Sequence, residues 1–134
     1  MLELHGHPKG TPCRAISLVL SELNLDYNYI IYERGENFHE KYIKINPMKL
    51  FPAFTDDDLL LTESRAVMCY LVDKYGQDND HQLYPKKPEI RAKIDDRLFF
   101  DIGVLYKPYS DNLVIILLFI AIIGSFHQFS IQEF

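Results

Sequence analysis

A hydroxyl and a thiol stand together at the start of the first predicted helix. Thr11 is expected to cap this helix and Pro12 to occupy its first position, one residue before Cys13. A thiol near a helix N-terminus can have a lowered pKa, which is the chemistry of a reactive nucleophile. The alternative is that Thr11 is only a cap and that Cys13 is a buried structural thiol.

A second group of chemically capable residues begins a later helix. Glu63-Ser64 falls in its first turn, directly after Thr62, which is expected to be the cap. Unpaired backbone N–H groups and the positive end of the helix dipole suit such a turn to binding a carboxylate. Capping by Thr62 with an acidic first turn accounts for the same residues without a ligand.

The elements that must position these residues follow one another in a mixed order. Hydrophobic periodicity and turn residues predict strand, helix, strand, short helix, strand, strand and helix over residues 2–76. Their approximate ranges are Leu2–His5, Thr11–Asn24, Tyr27–Tyr32, Phe38–Ile45, Phe51–Thr55, Leu59–Leu61 and 62–76. A βαβ half followed by a ββα half predicts an α/β thioredoxin-like N-terminal domain over residues 1–76.

The rest of the chain predicts helix alone. Residues 77–87 are polar, contain Pro85 and are expected to be an interdomain linker. Pro88 then opens a long helix in which every fourth residue is apolar, namely Ile90, Ile94, Leu98 and Ile102. We therefore expect residues 88–134 to form an incomplete all-α C-terminal domain.

The last part of that region, residues 111–134, has an atypical hydrophobic tail. Every residue from Leu113 to Ile123 is apolar, and a helix over 113–126 would be about 20 Å long, against a hydrocarbon core of about 30 Å. Three explanations are open: an interface with a partner, a membrane-associating end, or an aberrant terminus from a truncated or misread transcript. We favour the third.

Composition excludes several classes of function. The chain has 134 residues, a net charge of −5 and no basic stripe, which opposes nucleic-acid binding. Its two cysteines have no CxxC spacing and its five histidines form no ligand pattern, so neither a metal site nor a disulfide framework is expected. Without a signal-peptide pattern, a reducing cytosol is the expected compartment.

Several separated motifs together resemble insect delta- and epsilon-class cytosolic glutathione transferases. They are Thr11-Pro12-Cys13-Arg14, Asn46-Pro47 to Phe51-Pro52, Glu63-Ser64-Arg65, Tyr84-Pro85 and Arg97-Leu98-Phe99-Phe100-Asp101. The resemblance covers about Leu2 to Tyr109 and implies the thioredoxin-like fold predicted above. It also implies an enzyme that conjugates the glutathione thiolate, as co-substrate, to hydrophobic electrophiles in detoxification. Homodimerisation is expected from the family.

The resemblance implies a role for each glutathione-binding residue. Ser64 would bind the γ-glutamyl carboxylate, Glu63 would face the ammonium, and Arg65 would add a cationic contact. A cis bond before Pro52 would expose the backbone of Phe51 for pairing with the cysteinyl unit. A cis X–Pro bond is a minority state of about 5–6%, so sequence alone favours trans. Lys49 would contact the glycine carboxylate.

This sequence departs from the family at the thiol activator. Gly10 stands where those classes carry the activating serine, which leaves Thr11 as the substitute catalytic residue. Lys49 and Asn37 stand in place of two histidines, and Met48 in place of a glutamine. These changes support an alternative function, a catalytically weak or inactive glutathione-binding module.

A third hypothesis is a redox protein with a single thiol at Cys13. The segment from Gly10 to Cys13 lies where a thioredoxin has its CxxC, but the leading cysteine is absent. Dithiol chemistry needs a partner, and Cys69 in the later apolar helix is poorly suited. This hypothesis is the weakest of the three.

Overall fold

The computed structural model describes residues 1–77, 83–108 and 111. The chain divides into two units, Met1–Pro88 and Glu89–Phe134. The described part of the first unit contains the four-stranded sheet, three α-helices and a short 3-10 helix, and it carries all the site residues predicted above.

The sheet is mixed, with strand order β2-β1-β3-β4. The strands are β1 Leu2–Gly6, β2 Asn28–Ile31, β3 Ala53–Asp56 and β4 Leu59–Leu61. Strand β1 pairs in parallel with β2 and antiparallel with β3, which in turn pairs antiparallel with β4. This confirms the predicted thioredoxin-like arrangement.

Helices α1, Thr11–Glu22, and α3, Ser64–Tyr75, supply most of the main core. Their apolar residues recur at helical spacing, so each helix buries one face. The cluster joins them to the inner face of β1 and β3 and consists of Leu2, Leu4, Ile16, Leu20, Phe54, Val67 and Leu71. Asn24, expected to end α1, lies just past the C-cap Leu23 with a left-handed φ of 53°.

A second, smaller cluster is aromatic and lies beside the segment that enters β3. Tyr42 comes from the short helix α2, Glu40–Ile43, which follows a 3-10 turn at Glu36–Phe38. Its ring packs edge-on against Tyr32, with centroids 4.9 Å apart. In place of the single helix predicted over 38–45, the structure has the 3-10 turn, which ends at Phe38, and the short helix α2. The extended backbone of His39 (φ −76°, ψ 145°) separates the two.

The hairpin turn is shorter than its run of three aspartates suggests. Asp57 and Asp58 form the turn, whereas Asp56 is the last residue of β3 and is buried. The Asp56 carboxylate accepts hydrogen bonds from Lys74, Tyr70 and Tyr75 at 2.5–2.6 Å. This network joins β3 to the C-terminal end of α3.

Helix α4, Pro88–Phe100, starts at the last residue of the first unit and otherwise belongs to the second, where it is followed by a π-helical stretch, Asp101–Tyr106. On the predicted apolar face, Ile94 and Leu98 are half-buried while Ile90 and Ile102 are exposed. The hydrophobic tail predicted at 113–126 lies outside the described residues. Among the helices that the structure describes, none has the length and apolar character needed to span a bilayer.

Candidate functional site

The sheet topology brings three chain segments to the same end of the strands. The register pairs His5 with Ala53 and Phe54 with Leu61, so β1 ends, β3 begins and β4 ends at the same side of the sheet. The start of α1, the Phe51-Pro52 segment and the start of α3 all adjoin these strand ends. Three segments that are far apart in sequence therefore lie at the same end of the sheet.

At the start of α1, the structure corrects the predicted cap. The N-cap is Gly10, with φ −68° and ψ 125°, and no side chain caps the helix. Thr11 is the first helical residue, is exposed, and its hydroxyl has no hydrogen-bond partner among the described residues. Pro12 thus follows the first helical residue. Because Thr11 is not the cap, its hydroxyl is available to a ligand.

Cys13 is fully buried, so it does not behave as an exposed nucleophile. Burial raises the pKa of its thiol, outweighing the nearby Tyr29 hydroxyl and the His7 backbone, which lower it. A side chain at Gly6 would place its Cβ 2.5 Å from the Cys13 sulfur, which shows how closely the thiol is enclosed. These observations favour the structural role for Cys13 over the redox hypothesis.

The peptide bond between Phe51 and Pro52 is cis, as the resemblance implies. Pro52 is buried, and the Phe51 ring packs edge-on against Tyr42 with centroids 4.7 Å apart. The backbone N–H and carbonyl of Phe51 make no hydrogen bond to any described residue. These two backbone groups, just before the start of β3, can therefore pair with an extended peptide; we call them the open peptide.

Lys49 lies two residues before Phe51 in an exposed turn. Its backbone has a positive φ of 58°, an uncommon conformation for a residue other than glycine. The Lys49 ammonium forms no ion pair with a described residue. A cation is therefore held near the open peptide with its charge uncompensated.

The start of α3 also differs from the sequence prediction, since its N-cap is Glu63 and not Thr62. The Glu63 side chain makes no capping bond, and it is exposed without an ion pair among the described residues. Ser64 is the first helical residue and is only 3% exposed, and its Oγ accepts a hydrogen bond from Arg65 Nη1 at 3.0 Å. The first-turn N–H groups thus combine with a cation and a hydroxyl in one small area.

Sequence reasoning missed the aromatic residues that pack against the Phe51 side chain. Tyr32 and Tyr42 form an aromatic wall against the Phe51 ring. Tyrosines are common in both cores and sites, so no signal in one sequence separates these two from the remaining seven. In the part of the chain that the structure describes, no group of three or more His, Cys, Asp or Glu residues could hold a metal ion.

Comparison with protein families gives a match over most of the first unit. The sequence profile of the glutathione S-transferase N-terminal domain matches residues 2–73. That range includes Thr11, Lys49, Phe51, Ser64 and every strand of the sheet.

Solved structures of insect glutathione transferases also resemble most of the chain. An epsilon-class glutathione S-transferase from the housefly Musca domestica is 38% identical, with a TM-score of 0.81, covering 89% of this chain and 55% of that one. A delta-class enzyme from Nilaparvata lugens is 38% identical, with a TM-score of 0.76, covering 83% and 52%. A homologue from Drosophila mojavensis, solved with bound glutathione, is 39% identical, with a TM-score of 0.76, covering 79% and 48%. The chain thus spans about half the length of these structures.

Proposed function

This chain belongs to the glutathione S-transferase family, and we propose that it binds glutathione and transfers the glutathione thiolate to a hydrophobic electrophile. The observation that carries the proposal concerns the Phe51 backbone. Its N–H and carbonyl have no partner among the described residues, and they lie at the same end of the strands as the start of α3. Glutathione is itself a peptide with two carboxylates, so it needs both a backbone partner and anion receptors.

The start of α3 is the proposed site for the γ-glutamyl end. Its first-turn N–H groups and the Ser64 hydroxyl would donate to the carboxylate, with Arg65 adding positive charge. The exposed Glu63 carboxylate would face the ammonium of the same unit. In this arrangement the carboxylate of the γ-glutamyl group has a cationic partner and its ammonium has an anionic one.

The cysteinyl and glycine units are proposed to bind along the segment before β3. The Phe51 N–H and carbonyl would form an antiparallel pair with the cysteinyl unit, and the buried Pro52 fixes where that pair begins. The Lys49 ammonium, which forms no ion pair with a described residue, would then meet the glycine carboxylate. A flexible ammonium tolerates imperfect placement better than a bidentate group does.

Thr11 is the proposed thiol activator. A hydrogen bond from its hydroxyl would stabilise the thiolate, and a charge-assisted bond of this kind contributes about 1.5–3 kcal/mol. The thiolate sulfur then forms a bond to the electrophilic carbon, while the leaving group departs or the electron pair moves onto the acceptor. The thiol proton goes to solvent.

The alternative function is a glutathione-binding module with weak or no turnover. It is favoured by Gly10, which offers no hydroxyl at the position where the resemblance expects the activating serine. Binding and turnover are separable because the proposed receptors for the carboxylates lie on α3 and before β3, not on α1.

Detoxification, a cytosolic location and homodimerisation are also proposed, on the family resemblance alone. Sedimentation of the purified chain tests the dimer directly. A monomer at micromolar concentration would reject it without affecting the glutathione site.

Calorimetric titration of the whole chain with glutathione tests the proposed function. We expect saturable binding that Ser64→Ala weakens by about tenfold, the loss of one hydrogen bond to a charged group. Asp58→Asn is the control, because this exposed aspartate lies in the β3–β4 turn, at the opposite end of the strands from the proposed site. Folded protein without saturable binding would reject both the transferase and the binding module.

A further inference from the structure

The turn at residues 46–50, which precedes the open peptide, is held by a dense set of hydrogen bonds. Asn46 organises it, since its side-chain oxygen accepts from the Met48 N–H at 3.0 Å and its carbonyl accepts from the Lys49 N–H at 2.9 Å. Asn46 is itself only 2% exposed. The turn is therefore a fixed structure and not a loose connection.

Two separate anchors act on two consecutive carbonyls of this turn. The Leu50 carbonyl accepts from the Tyr42 hydroxyl at 2.6 Å and from the Asn46 amide at 2.8 Å. The Lys49 carbonyl accepts instead from the Asn37 amide at 2.8 Å. The first anchor adjoins Phe51, whereas the second holds Lys49.

The hydrogen bond to the Lys49 carbonyl comes from a separate turn, twelve residues earlier in the chain. Asn37 is the middle residue of the 3-10 turn at Glu36–Phe38, which follows Gly35 with a φ of 96°. Its amide reaches across twelve residues to a lysine that holds the uncommon left-handed conformation. Such a conformation persists only where the surroundings enforce it.

We propose that Asn37 is a positioning residue, which holds Lys49 in its left-handed conformation and so presents the ammonium to the glycine carboxylate of glutathione. The inference rests on the proposed function. In the sequence, Asn37 stands where the family has a second histidine, and in the structure an amide hydrogen of Asn37 is directed to the Lys49 carbonyl. The Leu50 carbonyl, next to Phe51, is held by Tyr42 and Asn46 and makes no bond to Asn37.

Limited proteolysis of the whole chain by trypsin tests the Asn37–Lys49 contact without any ligand. Asn37→Asp keeps the size of the side chain but removes the donor, and Asn37→Ala removes both. We expect both variants to be cleaved after Lys49 about two- to tenfold faster than the wild type, the range that one ordinary hydrogen bond contributes. Cleavage after Lys44, the exposed C-cap residue of α2, is the internal control and should not change. Equal rates after Lys49 in all three proteins would overturn the proposal.

Titration with two peptides tests the functional part. Glutathione and γ-glutamylcysteine share every unit except the glycine. If Lys49 no longer contacts the glycine carboxylate, we therefore expect only the affinity for glutathione to fall. We expect Asn37→Asp to lower the affinity for glutathione about two- to tenfold and to leave the affinity for γ-glutamylcysteine unchanged. A general defect in folding would weaken both peptides equally, and that result would also overturn the proposal.

The two arms separate this inference from the proposed function. If the wild type binds neither peptide, the proposed function and the role of the Lys49 ammonium both fail. Faster cleavage after Lys49 in Asn37→Asp would still establish that Asn37 holds the turn. Lys49→Ala should reproduce the peptide-specific loss of affinity, whereas unchanged discrimination in that variant would reject Lys49 as the receptor.

Discussion

Gly10 is the single residue that most affects the chemistry proposed for this chain. It caps α1 by its backbone alone and lies where the family resemblance expects a serine hydroxyl. Its φ of −68° is available to any residue, so the glycine is not required by the backbone. A Cβ built here would be 3.1 Å from the His7 carbonyl oxygen, which must shift by a few tenths of an ångström.

Gly10→Ser should therefore fold and raise conjugation activity. The new hydroxyl would donate to the thiolate, and a charge-assisted bond corresponds to an increase of about tenfold or more in kcat/KM. The measurement is the rate with a general electrophile, together with the pKa of bound glutathione followed by thiolate absorbance. We expect that pKa to fall.

Gly10→Ala is the matched control because it adds the Cβ without the hydroxyl. Equal rates in the alanine and serine variants would show that shape and not hydrogen bonding is responsible. Thr11→Val tests the substitute activator in the same assay: it should abolish the residual activity of the wild type but not that of Gly10→Ser. Residual activity that survives Thr11→Val would contradict the role of Thr11.

At the scale of elements, the hairpin and the last helix of the first unit are joined through one carboxylate. Burial alone would raise the pKa of Asp56, but hydrogen bonds from Lys74, Tyr70 and Tyr75 lower it to about 2 from its ordinary value of 3.8. Asp56 is only 4% exposed, so these bonds are protected from solvent. The ionised form is thus the one that the fold stabilises.

This lowered pKa predicts how stability depends on pH. A carboxyl whose folded pKa lies below its unfolded pKa contributes stability above about pH 4 and loses it as pH falls towards about 2. Asp56→Asn should lower the free energy of unfolding at pH 7 by about 2 kcal/mol and flatten its dependence on pH between about 4 and 2. Urea denaturation at a series of pH values measures both effects.

Asp58→Asn is the control for this prediction, since Asp58 is exposed and makes no side-chain hydrogen bond to a described residue. Its stability profile should match that of the wild type. If Asp56→Asn and Asp58→Asn behave alike, the network on Asp56 does not stabilise the fold.

At the scale of the whole chain, the first unit contains its own hydrophobic core. The residues of both buried clusters, and those packed against them, all lie between Leu2 and Tyr75. The proposed glutathione receptors lie in the same range. The first unit therefore has the composition of an independent domain.

Residues 1–88 should consequently fold without the rest of the chain. We expect the fragment to unfold cooperatively with roughly 5 kcal/mol of stability, at the lower end for domains because a short chain buries a smaller share of its surface. Circular dichroism during urea denaturation measures this. A fragment lacking a cooperative transition would show that residues 89–134 are required for the fold.

Glutathione titration of the same fragment extends the prediction. The affinity should match that of the whole chain within about threefold, since none of the proposed receptors lies beyond Arg65. Loss of glutathione binding in a folded fragment would place part of the receptor in the second unit.

Much of the fold could be predicted because the sequence encodes it locally. Alternation over β1 and the apolar spacing of α1 and α3 each reflect one buried face, so the element order and the thioredoxin-like class followed from periodicity. Helix caps were less predictable. Thr11 and Thr62 are good capping residues by type, but the helices begin one residue after Gly10 and Glu63, since backbone bonds such as Arg14 N–H to the Gly10 carbonyl define the first turn.

The sequence by itself determined which residues could meet a charged peptide, because helix starts, glycines and prolines act through their own backbone geometry. Only the tertiary structure decided which of those residues are available and which are already used. Among the described residues the Thr11 hydroxyl has no partner, Cys13 is buried, and the Asn37 amide donates to the Lys49 carbonyl. The physical reason is that hydrogen bonding and burial depend on neighbours brought together by strand register, which residue type and spacing do not specify.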